Sequence, residues 1–251
     1  MAERSSAMVM VAVAALKLLS ALQEVTAGEP SVRYVQSASL GNFLVAANTS
    51  LSDQDIYATL SVASSCECRW GCWSDTRCLA VAVVVVSTGG VQCRLASKGP
   101  VQSTLITNTQ ATYLFWHDSV TGTYTFREDN LLYLIPTSAL DFPSAKQLCA
   151  KIPGHRLLMP KTIRRYQTAL NMATETGQQL WVDLTRMIDN GPKIWGDQTP
   201  YLNTSTASVA TCYDDTPSPA AFRIIGGALN DKEMTASFYG VCEANPLGVV
   251  W

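Results

Sequence analysis

The chain has 251 residues, with 18 basic and 20 acidic side chains, a formal net charge of −2 and 47% hydrophobic residues. That balance excludes nucleic-acid binding as the main activity, because it leaves no basic patch to meet a phosphate backbone. Only 15% of residues are charged while Ser, Thr, Ala and Val abound, the mixture expected of extracellular β-rich modules with polar, weakly charged surfaces.

At the start, Glu3 and Arg4 precede a ten-residue apolar run, Ala7 to Leu16, and Val25-Thr26-Ala27 supplies small residues suited to cleavage before Gly28. Residues 1–27 therefore read as a signal peptide, and the mature chain is expected to be secreted and extracellular. The run is shorter than the about 20 apolar residues of a membrane span and is followed by Lys17, so no membrane anchor is expected. Asn48-Thr49-Ser50 and Asn203-Thr204-Ser205 are glycosylation acceptors that export makes usable on exposed loops.

Short β-like runs follow, beginning at Tyr34–Val35. Ser61 to Trp73 is expected to be helical, which places Cys68 and Cys72, four residues apart, on one face. The valine-rich run Leu79 to Val86 predicts a buried strand. Thr88-Gly89-Gly90 then turns the chain into a second strand, Val91 to Leu95, and Tyr113 to Trp116 predicts another. This helix, strand, turn, strand order, with Cys68, Cys72, Cys78 and Cys93 at their spacing, resembles the PAN/apple module over roughly Tyr34 to Trp116, and residues 28–116 are assigned to it. The resemblance implies the pairs Cys68–Cys93 and Cys72–Cys78 and leaves Cys66 outside that core. A competing reading makes Cys66, Cys68, Cys72 and Cys78 a zinc cluster. It conflicts with export, since an oxidising compartment turns thiols into disulfides.

His117 to Thr123, rich in Asp, Ser, Gly and Thr, marks a boundary, and residues 117–251 form the second expected domain. A Tyr-rich strand leads into a helix from Asp141 to Ala150, with Phe142, Ala145 and Cys149 at helical spacing. A second helix from Thr162 to Glu175 places Tyr166, Leu170 and Ala173 on one stripe. Between and after them come Gly154, Leu157, Leu158 and Pro160, then Trp181-Val182-Asp183-Leu184 and Trp195-Gly196-Asp197-Gln198-Thr199-Pro200. Cys212, Leu229-Asn230-Asp231 and Val241-Cys242-Glu243 complete the series. In that order these landmarks resemble the C-type lectin-like domain from about Tyr124 to Glu243. The resemblance implies an α+β domain whose ends are joined by Cys149–Cys242, with a loop region above a small sheet that carries recognition. Trp181 and Trp195 are expected in the core, where large rings bury well, rather than as sugar-stacking platforms.

The family's framework has four cysteines, and this half of the chain has Cys149, Cys212 and Cys242, with Met234 where the fourth is expected. The resemblance thus implies that Cys212 has lost its partner. Three outcomes are open for the two surplus thiols: a Cys66–Cys212 bridge between the domains, pairing with other chains as a disulfide-linked dimer, or free thiols. Calcium is the other question, because sugar-binding members of the family hold sugar through that ion. Asn230 and Asp231 match two of the family's metal ligands, but the upstream Glu-Pro-Asn or Gln-Pro-Asp signature is missing. An ion that takes 6–8 oxygens has no obvious set of carboxylates here, and the alternative is that both residues cap a turn.

His117 and His155 are the only histidines, and none of the Gly-x-Ser-x-Gly, His-Glu-x-x-His or phosphate-loop signatures is present, so the chain is not expected to be an enzyme. Two binding functions fit. One is a secreted lectin-like protein that engages carbohydrate or glycoprotein ligands in innate immunity or adhesion. The other is a calcium-independent extracellular protein-interaction module that binds no sugar.

Overall fold

The computed structural model describes residues 29–87 and 89–251, so the signal-peptide expectation for residues 1–27 lies outside it. Three α-helices and three sheets form among the described residues. The first sheet has six strands: β1 (Arg33–Val35), β2 (Phe43–Leu51), β3 (Ala58–Val62), β4 (Ala80–Val85), β5 (Val91–Ala96) and β6 (Leu105–Trp116), in the spatial order β1-β2-β6-β4-β5-β3. The helix α1 (Ser65–Ser74) lies between β3 and β4 in sequence.

Both faces of this sheet are buried, which is why β4 reads as an unbroken apolar run rather than an alternating one. Successive side chains point to opposite faces. Phe43, Val45, Val81, Val83, Leu114 and Trp116 form one cluster with Cys68 and Cys72 of α1. Leu44, Ala46, Ala80, Ala82, Tyr113 and Phe115 point the other way into a cluster with Phe142, Ala145, Cys149 and Trp181 from the second half of the chain. One hydrophobic core is therefore built jointly by the two halves.

Helix α1 starts at Ser65, four residues later than the expected start at Ser61, because Ser61 and Val62 pair with Gln92 and Val91 in the sheet. Ser64 caps it by accepting from the Glu67 amide, and the Glu67 carboxylate in return accepts from the Ala63 amide. Disulfides Cys68–Cys93 and Cys72–Cys78, with α-carbons 5.3 and 5.2 Å apart, tie α1 to β5 and to the approach to β4.

The second half opens with β7 (Thr123–Phe126) and β8 (Leu132–Ile135), followed by α2 (Phe142–Lys151), β9 (His155–Leu157) and α3 (Ile163–Thr176). Asp141 caps α2 by accepting from the Ser144 amide at 2.8 Å, and Thr162 caps α3 by accepting from the Arg165 amide. Gly177, in the left-handed conformation at φ +64°, ends α3. Next come β10 (Leu180–Arg186), β11 (Lys193–Trp195), β12 (Cys212–Tyr213), β13 (Ala220–Ile225), β14 (Ala228–Glu233) and β15 (Cys242–Ala244). Two sheets result, of order β7-β8-β15-β9 and β11-β10-β13-β14-β12.

Cys149–Cys242, with α-carbons 5.2 Å apart and a sequence separation of 93, fastens α2 to β15. Closing a loop of that length contributes about 4–5 kcal/mol in the chain-entropy account. Beside it Glu243 is fully buried, and Arg156 Nε donates to Oε1 at 2.8 Å while Arg165 donates to Oε2. Burial alone would push the Glu243 carboxyl up, but the two guanidiniums outweigh it and hold it below its ordinary range.

The halves are also joined by polar contacts at the N-terminal end. The Ser31 amide donates to the Asn245 carbonyl at 3.0 Å, the Asn245 amide donates to Ser31 Oγ, and Ser31 Oγ donates to the Gly154 carbonyl at 2.7 Å. Position 154 must be glycine on two grounds: its φ is +73°, and a Cβ there would lie 2.4 Å from the Ser31 carbonyl oxygen.

His155, next in sequence, is buried and its pKa falls to about 4, because desolvation disfavours the imidazolium. The Pro153 carbonyl can only accept, so Nδ1 carries the proton and Nε2 accepts from the Tyr124 hydroxyl. An unfolded chain protonates this ring near pH 6.5 and the folded chain resists until about pH 4. His155 therefore costs no stability above about pH 7, and a penalty that reaches roughly 3 kcal/mol grows as the pH falls to 4. The melting temperature is expected to drop over that window, and His155→Gln should flatten the drop. A variant whose melting curve follows the wild-type pH dependence would contradict this role.

Candidate functional site

The candidate site is the segment between β10 and β13 and its supports on β14. Its foundation is apolar: Trp181 and Trp195 are fully buried, as the sequence predicts, and Tyr201 packs against Trp195 at 6.1 Å between ring centroids. Asp183 on β10 is buried with Lys146 Nζ donating to it at 2.8 Å, and burial still raises its carboxyl above the ordinary range. Gly196 makes room for that carboxylate, since a Cβ at this position would sit 1.8 Å from Asp183 Oδ2.

Asp231 on β14 organises the loop. Its side chain has no solvent exposure. Oδ2 accepts from Arg186 Nη2 at 2.6 Å, and Oδ1 accepts from the Asp215 and Thr216 amides at 2.9 and 3.1 Å. The same Arg186 nitrogen donates to the Thr216 carbonyl. Two further contacts pin neighbouring turns: Asp189 accepts from the Ser218 amide at 2.7 Å, and Lys193 pairs with Asp214 at 2.6 Å. Arg186, Asp189 and Lys193 were not legible as site residues in the sequence. The available signal was indirect, since a carboxylate as buried as Asp231 demands a cation and amide donors.

Calcium does not fit these residues. Both Asp231 oxygens are taken up by N–H donors, and Asn230 Oδ1 accepts from Arg223 Nη2 at 3.2 Å. No group of three or more His, Cys, Asp or Glu able to hold a metal occurs among the described residues. The guanidinium of Arg186 supplies the positive charge that a bound cation would bring. Of the two readings open for Asn230 and Asp231, calcium ligation and support of a turn, these contacts fit the second.

The cysteines need a correction. Cys212 stands across from Leu229 and Tyr213 across from Asn230, whereas Met234 lies five residues beyond Leu229. At ~3.3 Å per residue that is roughly 16 Å, far outside the about 4.4–6.8 Å between α-carbons that a disulfide requires. A cysteine at position 234 would not reach Cys212. The register instead sets Ala220 against Glu233, and Met234 packs on the shared core with Ala221.

Cys66 and Cys212 are not bridged to each other, and both are free thiols. The reason is topological. Cys66 is exposed on α1, which covers the outer face of the six-stranded sheet. Cys212 packs against the core formed by α3 and the five-stranded sheet. The shared core lies between them. Burial pushes the Cys212 thiol up to about 11, which suppresses the thiolate. Of the histidines, His155 is committed to Tyr124 and Pro153, and His117 lies in a short turn after β6.

Several large apolar side chains on this segment face solvent. Met187 and Ile188, in the turn after β10, are 63% and 65% exposed, and Leu202 is 84% exposed. Tyr213 on the edge strand β12 is half-exposed. Asn203, beside Leu202, and Asn48, at a bulge in β2 with φ +54°, are both on the surface.

No family model and no curated protein matches the sequence. Solved structures do match, each over about half of this chain, and they are C-type lectin-like domains. The trimeric Kupffer cell C-type lectin receptor Clec4f is 16% identical, with a TM-score of 0.39 over 49% of this chain and 82% of that one. Human lithostathine is 15% identical, with a TM-score of 0.39 over 49% and 88%. TC14, a C-type lectin from the tunicate Polyandrocarpa misakiensis, is 16% identical, with a TM-score of 0.37 over 45% and 96%.

Removing the carboxylate that faces Arg186 leaves a buried, unpaired guanidinium, so Asp231→Ala is expected to cost about 3–5 kcal/mol in urea unfolding. The loss should be the same in calcium and in chelator. A destabilisation seen only in calcium would show that Asp231 serves a metal.

Proposed function

We propose that this is a secreted extracellular recognition protein, not an enzyme, whose C-type lectin-like half binds a protein or glycoprotein ligand through the β10–β13 loop region without calcium. The saturation of the Asp231 carboxylate by Arg186 and two backbone amides carries this reading. Sugar capture through an ion needs open coordination positions on that ion, and these oxygens have none to offer. The exposed Met187, Ile188 and Tyr213 supply instead the apolar and aromatic contacts typical of protein interfaces. The first half is a PAN/apple-like module, residues 28–116, that buttresses the second. Asn48 and Asn203 carry glycans on their exposed surfaces, and the exposed Cys66 is the thiol suited to a disulfide-linked dimer.

No helix among the described residues is long and apolar enough to cross a membrane. The test is to apply the secreted protein to immobilised mannose and galactose in calcium, and to probe an array of extracellular ectodomains in chelator. Retention on neither sugar is expected, together with a saturable protein ligand whose affinity falls at least about ten-fold in Ile188→Asp, the loss of one interface anchor. Retention on sugar that chelator releases would overturn the proposal.

A further inference from the structure

The ten-residue α1 spans about 15 Å, too short to cover the whole outer face of the six-stranded sheet. Beside its first turns lies a groove of about 500 Å³, within the about 300–1,000 Å³ typical of small-molecule sites. Phe43, Val45, Val83 and Leu114 contribute to its floor, and it runs from Arg33 on β1 to Val91 on β5. That is four strand spacings, roughly 19 Å at ~4.8 Å each, so the groove is elongated.

Two arginines line this apolar surface, and no carboxylate does. Arg33 pairs with Val45, which pairs with Leu114, so a guanidinium continues a row that is otherwise hydrocarbon. The Arg69 guanidinium carbon lies 5.6 Å from the centre of the Phe43 ring, and its Nη2 donates to Cys66 Sγ at 2.9 Å. Neither arginine belongs to an ion pair among the described residues, where every pair uses another basic side chain. The Glu67 carboxylate, one helical turn away from Ser64, is engaged at the α1 cap.

We propose that this groove binds a free medium-chain fatty acid, with the alkyl chain along the valine, leucine and phenylalanine floor and the carboxylate held by Arg33 and Arg69. Guanidinium pairs carboxylate in two-pronged fashion and tolerates an apolar setting better than an ammonium does. An extended peptide suits the groove less well, because its own amides need partners. The floor strands β2, β6 and β4 are each paired on both sides and have no backbone groups to give. The proposal is independent of the ligand bound at the β10–β13 loops.

The experiment is calorimetric titration of the full secreted protein with decanoate, decanol and a short apolar peptide bearing a free C-terminus. Decanoate is expected to bind saturably at one site, below about 1 mM, with decanol at least about ten-fold weaker, as the loss of a charge-assisted contact implies. Arg33→Gln and Arg69→Gln should each weaken decanoate about ten-fold. Arg33→Gln should leave the melting temperature unchanged, since Arg33 has no ion-pair partner to lose. Absence of saturable decanoate binding, equal affinity for decanol, unchanged affinity in both variants, or tighter binding of the peptide would each overturn the proposal.

Discussion

A sheet with two apolar faces needs two covers, and this requirement shapes the whole molecule. In residues 33–116 the strands alternate between Leu44, Ala46, Ala82 and Tyr113 on one side and Phe43, Val45, Val83 and Leu114 on the other. At roughly 25 cal/mol per Å² of apolar surface removed from water, neither face can stay exposed. Helix α1, tied down by two disulfides, covers part of the outer face. The inner face is covered by the second half of the chain, whose α2 contributes Phe142, Ala145 and Cys149 to the same core. The two halves form one packed body, with Cys66 and Cys212 on opposite sides of it and a groove beside the start of α1.

The second half solves its electrostatics internally. Glu243 is buried against Arg156 and Arg165, Asp183 against Lys146, and Asp231 against Arg186. Each carboxylate is oriented by a side chain from another element, so the sheet framework and the loops above it are coupled through charge as well as packing. The loop above the five-stranded sheet is held by an arginine and two amides. Its outward surface is left apolar at Met187, Ile188 and Leu202.

Much of this was legible in the sequence where the signal is local. Asp141 and Thr162 precede apolar stripes at helical spacing and do cap α2 and α3. The run Ala80–Val85 is the buried strand its valines suggest. Harder to read was β2, whose pattern is broken by Asn48 at a bulge, and β3, an edge strand of mostly exposed residues with no alternation to detect. The status of Cys212 was obscured because it depends on strand register, and a parallel pairing of two residues with β14 leaves no trace in sequence. Arg186 and Asp231 lie 45 residues apart, so their pairing is a tertiary fact.

Because the two halves share one core, they are expected to fold as one cooperative unit. Differential scanning calorimetry of the secreted protein, with its disulfides intact, tests it most directly. A single transition is expected, with calorimetric and van't Hoff enthalpies that agree. Two resolved transitions, or a calorimetric enthalpy well above the van't Hoff value, would contradict it.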